Sequence, residues 1–417
     1  MATSAALFIP SSPASFSRAA SISRSRLLSP PFLLPMARPL RFRRVSSSLA
    51  PSAPSPVLDN SPSPSKTGNW QWNFDGNSVN VYYEEHEGKI AANDKHILMI
   101  PTISDVSTVE EWRTVAKDIV EREGDVRCRA TIVDWPGLGF SERPSLEYNA
   151  DVMENFLVQF INASDGPLAN SGEILVWADK SDHFPHVAIV SISHNPIVVC
   201  SYFILSKTEG ELVIFGGGHA ATIALRAAGK RSISPTSIAA VAPTWAGPLP
   251  IVFGRSSDME SRYGLLRGTL RAPAVGWMMY NVLVSNEKSI ESQYRSHVYA
   301  DPENVTPSIV ESRYNLTKQK GARYVPAAFL TGQLDPVMSR EEFLQLFGEL
   351  DGKMPILVVS TAGAPKRSKA EMDALKGAKG VTKFVEVPGA LLPQEEYPLT
   401  VAEELYKFLQ EHCGSKS

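Results

Sequence analysis

The pattern of apolar and polar positions divides the chain into short strands that alternate with amphipathic helices. Runs of β-branched and aromatic residues predict a hairpin at 70–74 and 79–83, with a turn at Asp75-Gly76. Further strands are predicted at 96–100, 128–133, 212–215, 237–242, 354–360 and 383–387, and helices at 109–121, 151–161, 222–228 and 400–412. This alternation predicts an α/β fold with a mostly parallel central sheet and helices on both faces.

The segment 248–321 interrupts this alternation. It is helical and irregular in pattern, and aromatic and methionine residues cluster at 277–280. A segment of this kind between two predicted strands is typical of a helical cap inserted into the fold. We therefore expect a cap at 248–321.

A second segment, 173–210, fits the alternation badly. About 50 residues separate the second predicted helix from the next strand, where a short loop is expected. Gly172-Glu173 recurs as Gly210-Glu211, and removal of 173–210 would leave a loop of ordinary length. We therefore predict a splice-type insertion. A membrane-spanning helix at 187–205 is the alternative, but a His-Asn-Pro sequence at 194–196 is costly in a bilayer, so no integral membrane span is expected.

The first 58 residues differ from the rest in composition. They contain seven arginines, no lysine and no acidic residue, in a background rich in Ser, Ala, Pro and Leu. Such a composition is typical of a plastid or mitochondrial transit peptide, and the dense Ser and Pro favour the plastid. We expect a transit peptide and disordered linker at 1–67, and a chloroplast protein of the stroma or the thylakoid periphery. A disordered tail without a targeting role is the alternative, but it would predict acids among the basic residues.

The charge and the motif content restrict the possible partners. The formal net charge is −3, and without the seven arginines 34 basic residues stand against 44 acidic ones, which gives −10. A negative chain argues against a nucleic-acid partner. The three cysteines and the eight histidines show no metal-ligand spacing, so no metal is expected. No cofactor is expected either, because Ala221 stands where a G-x-G-x-x-G motif has its third glycine, although some such motifs accept alanine.

The segment 215–221, Phe-Gly-Gly-Gly-His-Ala-Ala, has the frame of the turn that carries a catalytic serine. In the G-x-S-x-G pattern small residues flank a strained position between a strand and a helix, where the nucleophile stands. The helix that follows places Gly218 at that position. Glycine has no side chain with which to attack a substrate. A glycine-rich turn of an unrelated α/β protein is the alternative interpretation.

Several motifs, in this order, resemble the α/β-hydrolase fold. They are the segment 134–141 after a predicted strand, the glycine turn, the segment 243–250 before the cap, and 389–398 near the end. The chain is more narrowly similar to the branch that includes haloalkane dehalogenases and epoxide hydrolases, as a plastid-type member with a degenerate catalytic triad. The resemblance implies an α/β-hydrolase domain at 68–412.

The resemblance also implies a nucleophile, a histidine base and an acid that orients it, and the chain departs from each. Leu391 stands where the family has its histidine, and leucine cannot accept a proton. Ala364 falls at the acid position, 27 residues before Leu391, and Asp335, 56 residues before it, is the alternative acid. The oxyanion loop has Pro101-Thr102 in place of His-Gly, and proline has no N–H to donate.

Two functions are compatible with this pattern. The first is a plastid protein without Ser-His-Asp hydrolase activity that binds a small apolar ligand or a protein partner. Its pocket is expected to be lined by Thr102, Gly218, His219, Trp245, Asp335 and Leu391. The alternative is a hydrolase of small esters, epoxides or haloalkane-like substrates, with His219, Asp335 or Glu142 as acid or base. Contact between His219 and Asp335 inside one closed pocket would favour the hydrolase, whereas a merely packed His219 would not.

Overall fold

One eight-stranded sheet organises the fold. The computed structural model describes residues 65–88, 95–123, 126, 128–169 and 211–413 of the chain. The strands are β1 (Ser65–Phe74), β2 (Asn77–Glu87), β3 (Lys95–Ile100), β4 (Cys128–Val133), β5 (Glu211–Gly217), β6 (Ser237–Val241), β7 (Ile356–Thr361) and β8 (Lys383–Val387). Their order in the sheet is β1-β2-β4-β3-β5-β6-β7-β8. The pairs β1–β2 and β2–β4 are antiparallel, and every later pair is parallel, which confirms the predicted α/β class.

The helices surround this sheet. They are α1 (Arg113–Glu121), α2 (Ala150–Asn162), α3 (His219–Gly229), α4 (Pro248–Phe253), α5 (Ser257–Arg271), α6 (Val275–Leu283), α7 (Glu287–Gln293), α8 (Pro307–Thr317), α9 (Tyr324–Leu330), α10 (Arg340–Glu349), α11 (Lys366–Asp373), α12 (Pro393–Glu396) and α13 (Pro398–Cys413). The helix predicted at 109–121 is a 3₁₀ turn, Val109–Glu111, followed by α1.

The amino-terminal boundary differs from the sequence prediction. The linker was expected to reach residue 67, yet β1 begins at Ser65. The reason is that β2 continues to Glu87, so that Ser65 pairs with His86. Residues 65–67 therefore belong to a strand. The rest of the predicted transit peptide and linker, and the segment 173–210 with its alternative membrane helix at 187–205, lie outside the described residues.

The central strands are buried on both sides, as parallel strands covered by helices must be. All six residues of β3 are buried, and so are six of the seven residues of β5. Alternate side chains enter two different cores: Leu98 and Ile214 belong to one, and Met99 and Phe215 to the other. The apolar runs that predict these strands therefore reflect burial on both faces.

The segment between β6 and β7 is helical, which confirms the predicted inserted cap. Helices continue beyond the expected limit of residue 321 through α10, which ends at Glu349. Polar side chains fix the starts of three of them. Ser256, Thr306 and Ser339 each accept a hydrogen bond from the backbone N–H three residues further along the chain.

Buried ion pairs attach the cap to the rest of the domain. The side chain of Arg313 on α8 is 1% exposed and pairs with Glu110, before α1, and with Glu395 on α12. Its Nε also donates to the Tyr294 hydroxyl at 3.1 Å. Breaking a buried pair by removal of one partner typically costs about 3–5 kcal/mol. Arg313 therefore fixes the position of α8 relative to the sheet.

The turn after β4 positions the start of α1. The buried carboxylate of Asp134 accepts hydrogen bonds from the backbone N–H groups of Val109 and Phe140, both at 2.7 Å. Gly139 has a φ of +52°, and a Cβ at this position would lie 2.1 Å from Asp134 Oδ2. The turn therefore requires glycine at position 139, because the backbone is left-handed there and the Asp134 carboxyl leaves no space for a side chain.

We predict that Gly139→Ala lowers the free energy of unfolding by about 2–4 kcal/mol, because it adds left-handed strain and displaces the Asp134 carboxylate. Gly264→Ala on α5 is the control, since no atom lies within 4 Å of the added Cβ. There we expect a gain of up to about 1 kcal/mol from helix propensity. Urea unfolding of both variants measures the difference, and equal effects would contradict the account of the turn.

Candidate functional site

The loops at the carboxyl ends of the parallel strands form the candidate site, where α/β folds usually bind ligands. The loops after β7 and β8 meet through a hydrogen bond from Gly363 N to Gly389 O at 2.9 Å. The loop after β3 also lies against the end of β5, because a Cβ at Gly217 would lie 2.8 Å from Thr102 Cγ2. The fold thus brings together the segments that carry the sequence-predicted site residues.

Gly218 forms the tight turn between β5 and α3. Its φ is +54° and its ψ is −126°, a conformation that residues with side chains rarely adopt. Gly216 also has to be small, since a Cβ there would lie 2.7 Å from Ala221 Cα. The strand, turn and helix of a nucleophile elbow are therefore present, and the residue at the apex has no nucleophilic atom.

The positions expected for the base and the acid carry hydrocarbon side chains. Leu391, in the loop after β8, is 2% exposed, and its backbone N–H donates to Val298 O at 2.9 Å. Ala364 lies in the turn between β7 and α11. Neither side chain can accept or release a proton.

The loop after β3 contains an interaction that the sequence analysis missed. The backbone N–H of Thr102 donates to Glu111 Oε2 at 2.9 Å, and its hydroxyl donates to Oε1 at 2.9 Å. Gln394 Nε2 also donates to Oε2, at 3.2 Å. A backbone N–H in this loop would contribute to an oxyanion hole in a hydrolase. Here the N–H of Thr102 already binds a carboxylate of the protein, and Pro101 has none to offer.

Burial controls the ionisation of Glu111. It raises the pKa of the Glu111 carboxyl from 4.5 to about 7, and the nearby Glu395 carboxylate adds to the rise. The two hydrogen bonds from Thr102 oppose it, because they stabilise the charged form. Burial also raises the pKa of Glu395. The site therefore holds a carboxyl group that titrates near neutral pH.

A cavity of about 90 Å³ lies between these loops and the cap. Its walls come from the loop after β3, the loop after β8 and the cap. The lining residues are Thr102, Ser104, Asp105, Val106, Pro248, Leu270, Met279, Tyr280, Val284, Gln293, Tyr294, Val298, Arg323, Pro326, Ala327, Phe329, Leu330, Leu391 and Leu392. Of the six predicted pocket residues, Thr102 and Leu391 are in this lining, whereas Gly218, His219, Trp245 and Asp335 are not.

His219 is buried behind the cavity wall. Its Nδ1 lies 2.7 Å from Thr244 Oγ1, and its Nε2 lies 3.4 Å from Asp335 Oδ1. The ring packs edge-on against Phe329, with 5.1 Å between the ring centroids, and it is Phe329 that lines the cavity. His219 and Asp335 therefore meet within hydrogen-bond reach, but outside the cavity lining.

The other predicted acids and Trp245 have structural partners. Asp335 accepts a hydrogen bond from Gly247 N at 2.8 Å and pairs with Arg255. The indole N–H of Trp245 donates to Glu371 Oε2 at 3.0 Å. Glu142 is exposed, and its carboxylate accepts from the backbone N–H of Asn80 at 3.0 Å. Each of these three side chains therefore has partners within the protein, and no role in ligand binding is needed to explain its position.

The described residues offer neither a metal site nor a helix that could cross a membrane. Among the described residues, no group of three or more His, Cys, Asp or Glu side chains is arranged to hold a metal ion. Within the same part of the chain, every helix is too short or too polar to cross a bilayer.

Comparison with known proteins identifies the fold. No protein-family model matches the chain, and no curated protein matches it significantly. Among solved structures, Cfl2 of Burkholderia cenocepacia is 15% identical, covers 82% of this chain and 95% of its own, and has a TM-score of 0.52. The haloalkane dehalogenase DatA of Agrobacterium tumefaciens is 13% identical, and the match covers 83% of this chain and 97% of DatA with a TM-score of 0.50. A bromoperoxidase of Bacillus anthracis is 11% identical, and the match covers 82% of this chain and 100% of the bromoperoxidase with a TM-score of 0.50. At identities this low, the structural similarity shows the fold alone. It confirms the predicted α/β-hydrolase fold.

The raised pKa of Glu111 predicts a pH-dependent stability. Between pH 4.5 and 7 the folded state retains the proton that the unfolded state has lost, so the free energy of unfolding falls as the pH rises. The fall attributable to this group is about 3 kcal/mol, from about 1.4 kcal/mol per pKa unit. We expect this pH-dependent fall to be absent in Glu111→Gln. The free energy of unfolding of the variant, relative to that of the wild type, should therefore rise by about 3 kcal/mol between pH 4.5 and 7.

Urea unfolding at pH 4.5, 5.5 and 7 measures this difference. Other titrating groups are common to both proteins, so their contributions cancel to first order. Glu303→Gln, a change at an exposed residue, should follow the wild type. If the free energy of unfolding changes with pH by the same amount in the wild type and in Glu111→Gln, the Glu111 carboxyl does not titrate as described.

Proposed function

We propose that this protein, which has the α/β-hydrolase fold, binds a small apolar molecule in the plastid and does not hydrolyse it by Ser-His-Asp chemistry. The observation that carries the proposal is the apex of the elbow. Gly218 has the conformation of a nucleophile's turn and offers no atom for attack.

Three further positions support the proposal. Leu391 cannot act as a base and Ala364 cannot orient one. The Thr102 N–H is hydrogen-bonded to Glu111. Loss of the nucleophile or the base alone costs on the order of a million-fold in a well-studied serine protease. The combined replacement of nucleophile, base and acid leaves these three positions without a group for covalent catalysis.

The cavity supports binding of a small molecule more than binding of a protein. It is concave, and aliphatic and aromatic side chains form most of its walls, among them Leu270, Met279, Val284, Phe329 and Leu392. Small-molecule sites typically combine such walls with a few polar groups. A protein partner, in contrast, usually requires an extended surface of about 800 Å² on each side.

A rearranged hydrolase is the second candidate. The contact of 3.4 Å between His219 Nε2 and Asp335 Oδ1 favours it, because a histidine paired with a carboxylate can act as a base. Against it, Phe329 and not His219 lines the cavity. The Asp335 carboxylate is also engaged by Arg255 and Gly247. We therefore prefer the non-catalytic function.

The plastid location rests on the composition of the first 58 residues. Seven arginines without a single acidic residue are typical of a transit peptide. We expect a fluorescent fusion of the full chain to enter chloroplasts and to be shortened on import. The same fusion without residues 1–64 should stay outside, and its import would contradict the proposed location.

We predict that the purified full chain leaves 4-nitrophenyl butyrate, styrene oxide and 1-chlorohexane unchanged, at the rate of the buffer alone. Gly218→Ser should also be inactive, because a serine at the apex would have no imidazole to accept its proton. Spectrophotometric release of 4-nitrophenol and chromatography of the other two reaction mixtures measure the rates.

His219→Ala is the variant that separates the two candidates. Turnover by the wild type that disappears in His219→Ala would refute the non-catalytic proposal and support the rearranged hydrolase. Lys288→Ala, a change at an exposed residue on α7, controls for contaminating esterase in the preparations. Activity retained equally in both variants would identify a contaminant.

A further inference from the structure

Three polar residues of the cavity lining stand out from its apolar walls. They are Asp105, Gln293 and Tyr280, and we call them the polar group. Asp105 belongs to the loop after β3, whereas Gln293 ends α7 and Tyr280 lies on α6. The sheet side and the cap side of the cavity therefore both contribute to the polar group.

The carboxyl of Asp105 has room for a hydrogen bond from a ligand. It is partly buried, and the side chain of Gln293 lies close enough to lower its pKa. Burial raises the pKa of Asp105. A carboxylate has about four acceptor sites, so Asp105 has capacity for a donor on a ligand.

The hydroxyl of Tyr280 lacks a partner. Tyr280 is 6% exposed, and its hydroxyl has no hydrogen bond within the described residues. Burial raises the pKa of Tyr280, and the nearby Asp105 is the charged group that adds most to the rise. A buried hydroxyl without a partner is unfavourable and rare in folded proteins, so it indicates a missing acceptor or donor.

We propose that the polar group recognises the hydroxyl of an apolar alcohol. A hydroxyl group has one donor and two acceptor sites, so the ligand hydroxyl would donate a hydrogen bond to Asp105 and accept one from Tyr280. Gln293 lies beside the carboxyl. The hydrocarbon part of the alcohol would contact the apolar walls. The inference rests on the proposed function, because it uses the same cavity.

Arg323 is the competing recognition group. It also lines the cavity, and its Nε is buried without a hydrogen-bond partner among the described residues. A ligand carboxylate would select Arg323 instead. We favour the alcohol because the Arg323 guanidinium already stacks on the Tyr324 ring at 4.8 Å. In a cavity of about 90 Å³ a ligand carboxylate would also lie near Asp105.

Three probes of equal chain length test the proposal by calorimetric titration of the full chain. They are 1-hexanol, its isomer methyl pentyl ether, which accepts but cannot donate a hydrogen bond, and hexanoate. We expect 1-hexanol to bind about 5–10-fold more tightly than the ether, since only the alcohol can donate to Asp105. Hexanoate should bind more weakly than either.

Two variants connect this preference to the residues. Asp105→Ala should bring the affinities of alcohol and ether to within about twofold of each other, because the acceptor is gone. Tyr280→Phe should weaken both probes about fivefold, because it removes the donor that each can accept from, and it keeps the test valid if Asp105→Ala does not fold. Asp258→Ala, at an exposed acid on α5, is the charge-matched control and should behave as the wild type.

The outcomes separate this inference from the proposed function. Equal binding of 1-hexanol and the ether to the wild type would overturn alcohol recognition and leave apolar binding intact. Hexanoate as the tightest probe, with its binding lost in Arg323→Gln, would overturn it in favour of anion recognition. No binding of any probe would contradict both the inference and the proposed function.

Discussion

The carboxylate of Glu111 holds together the loops on which the candidate site depends. It receives the backbone N–H and the hydroxyl of Thr102 from the loop after β3, and the amide of Gln394 from α12. A buried carboxylate is tolerated only with such partners, since an unpaired charge would be too costly. The same contacts place Thr102 and the loop after β8 on the cavity wall. The position of Thr102 on the cavity wall thus depends on the need to satisfy one buried acidic group.

The turn at Gly218 has the backbone conformation of a nucleophile elbow without a side chain at its apex. The turn at Gly218 would be strained for a serine, by about 1–3 kcal/mol, and in active enzymes that strain serves to expose the nucleophile. Glycine adopts the conformation without this penalty. The turn is supported independently of the residue at its apex, because β5 packs in both cores and α3 packs in the core that contains Leu98.

Much of the fold could be predicted from the sequence, because buried parallel strands leave apolar runs that local pattern reveals. β3, β4 and β8 lie within one residue of their predicted limits. The site was less accessible to prediction. Glu111 beside Glu110 resembles an ordinary acidic first turn of a helix, and nothing local indicates that it binds Thr102. Tyr280 and Gln293 reach the cavity through cap packing. Conversely, Trp245 was expected in the pocket, but its indole bonds Glu371, 126 positions away in sequence.

The buried ion pairs of Arg313 have a consequence for how the cavity exchanges its contents. A hinge motion that lifted α8 from the sheet would separate a guanidinium from Glu110 and Glu395 in an environment where water cannot replace them at once. Arg313 thus restrains α8 and, through its hydrogen bond to the Tyr294 hydroxyl, one side chain of the cavity lining. In the function that we propose, a ligand would find the Tyr294 side chain already ordered, so none of its binding energy would be needed to immobilise that side chain.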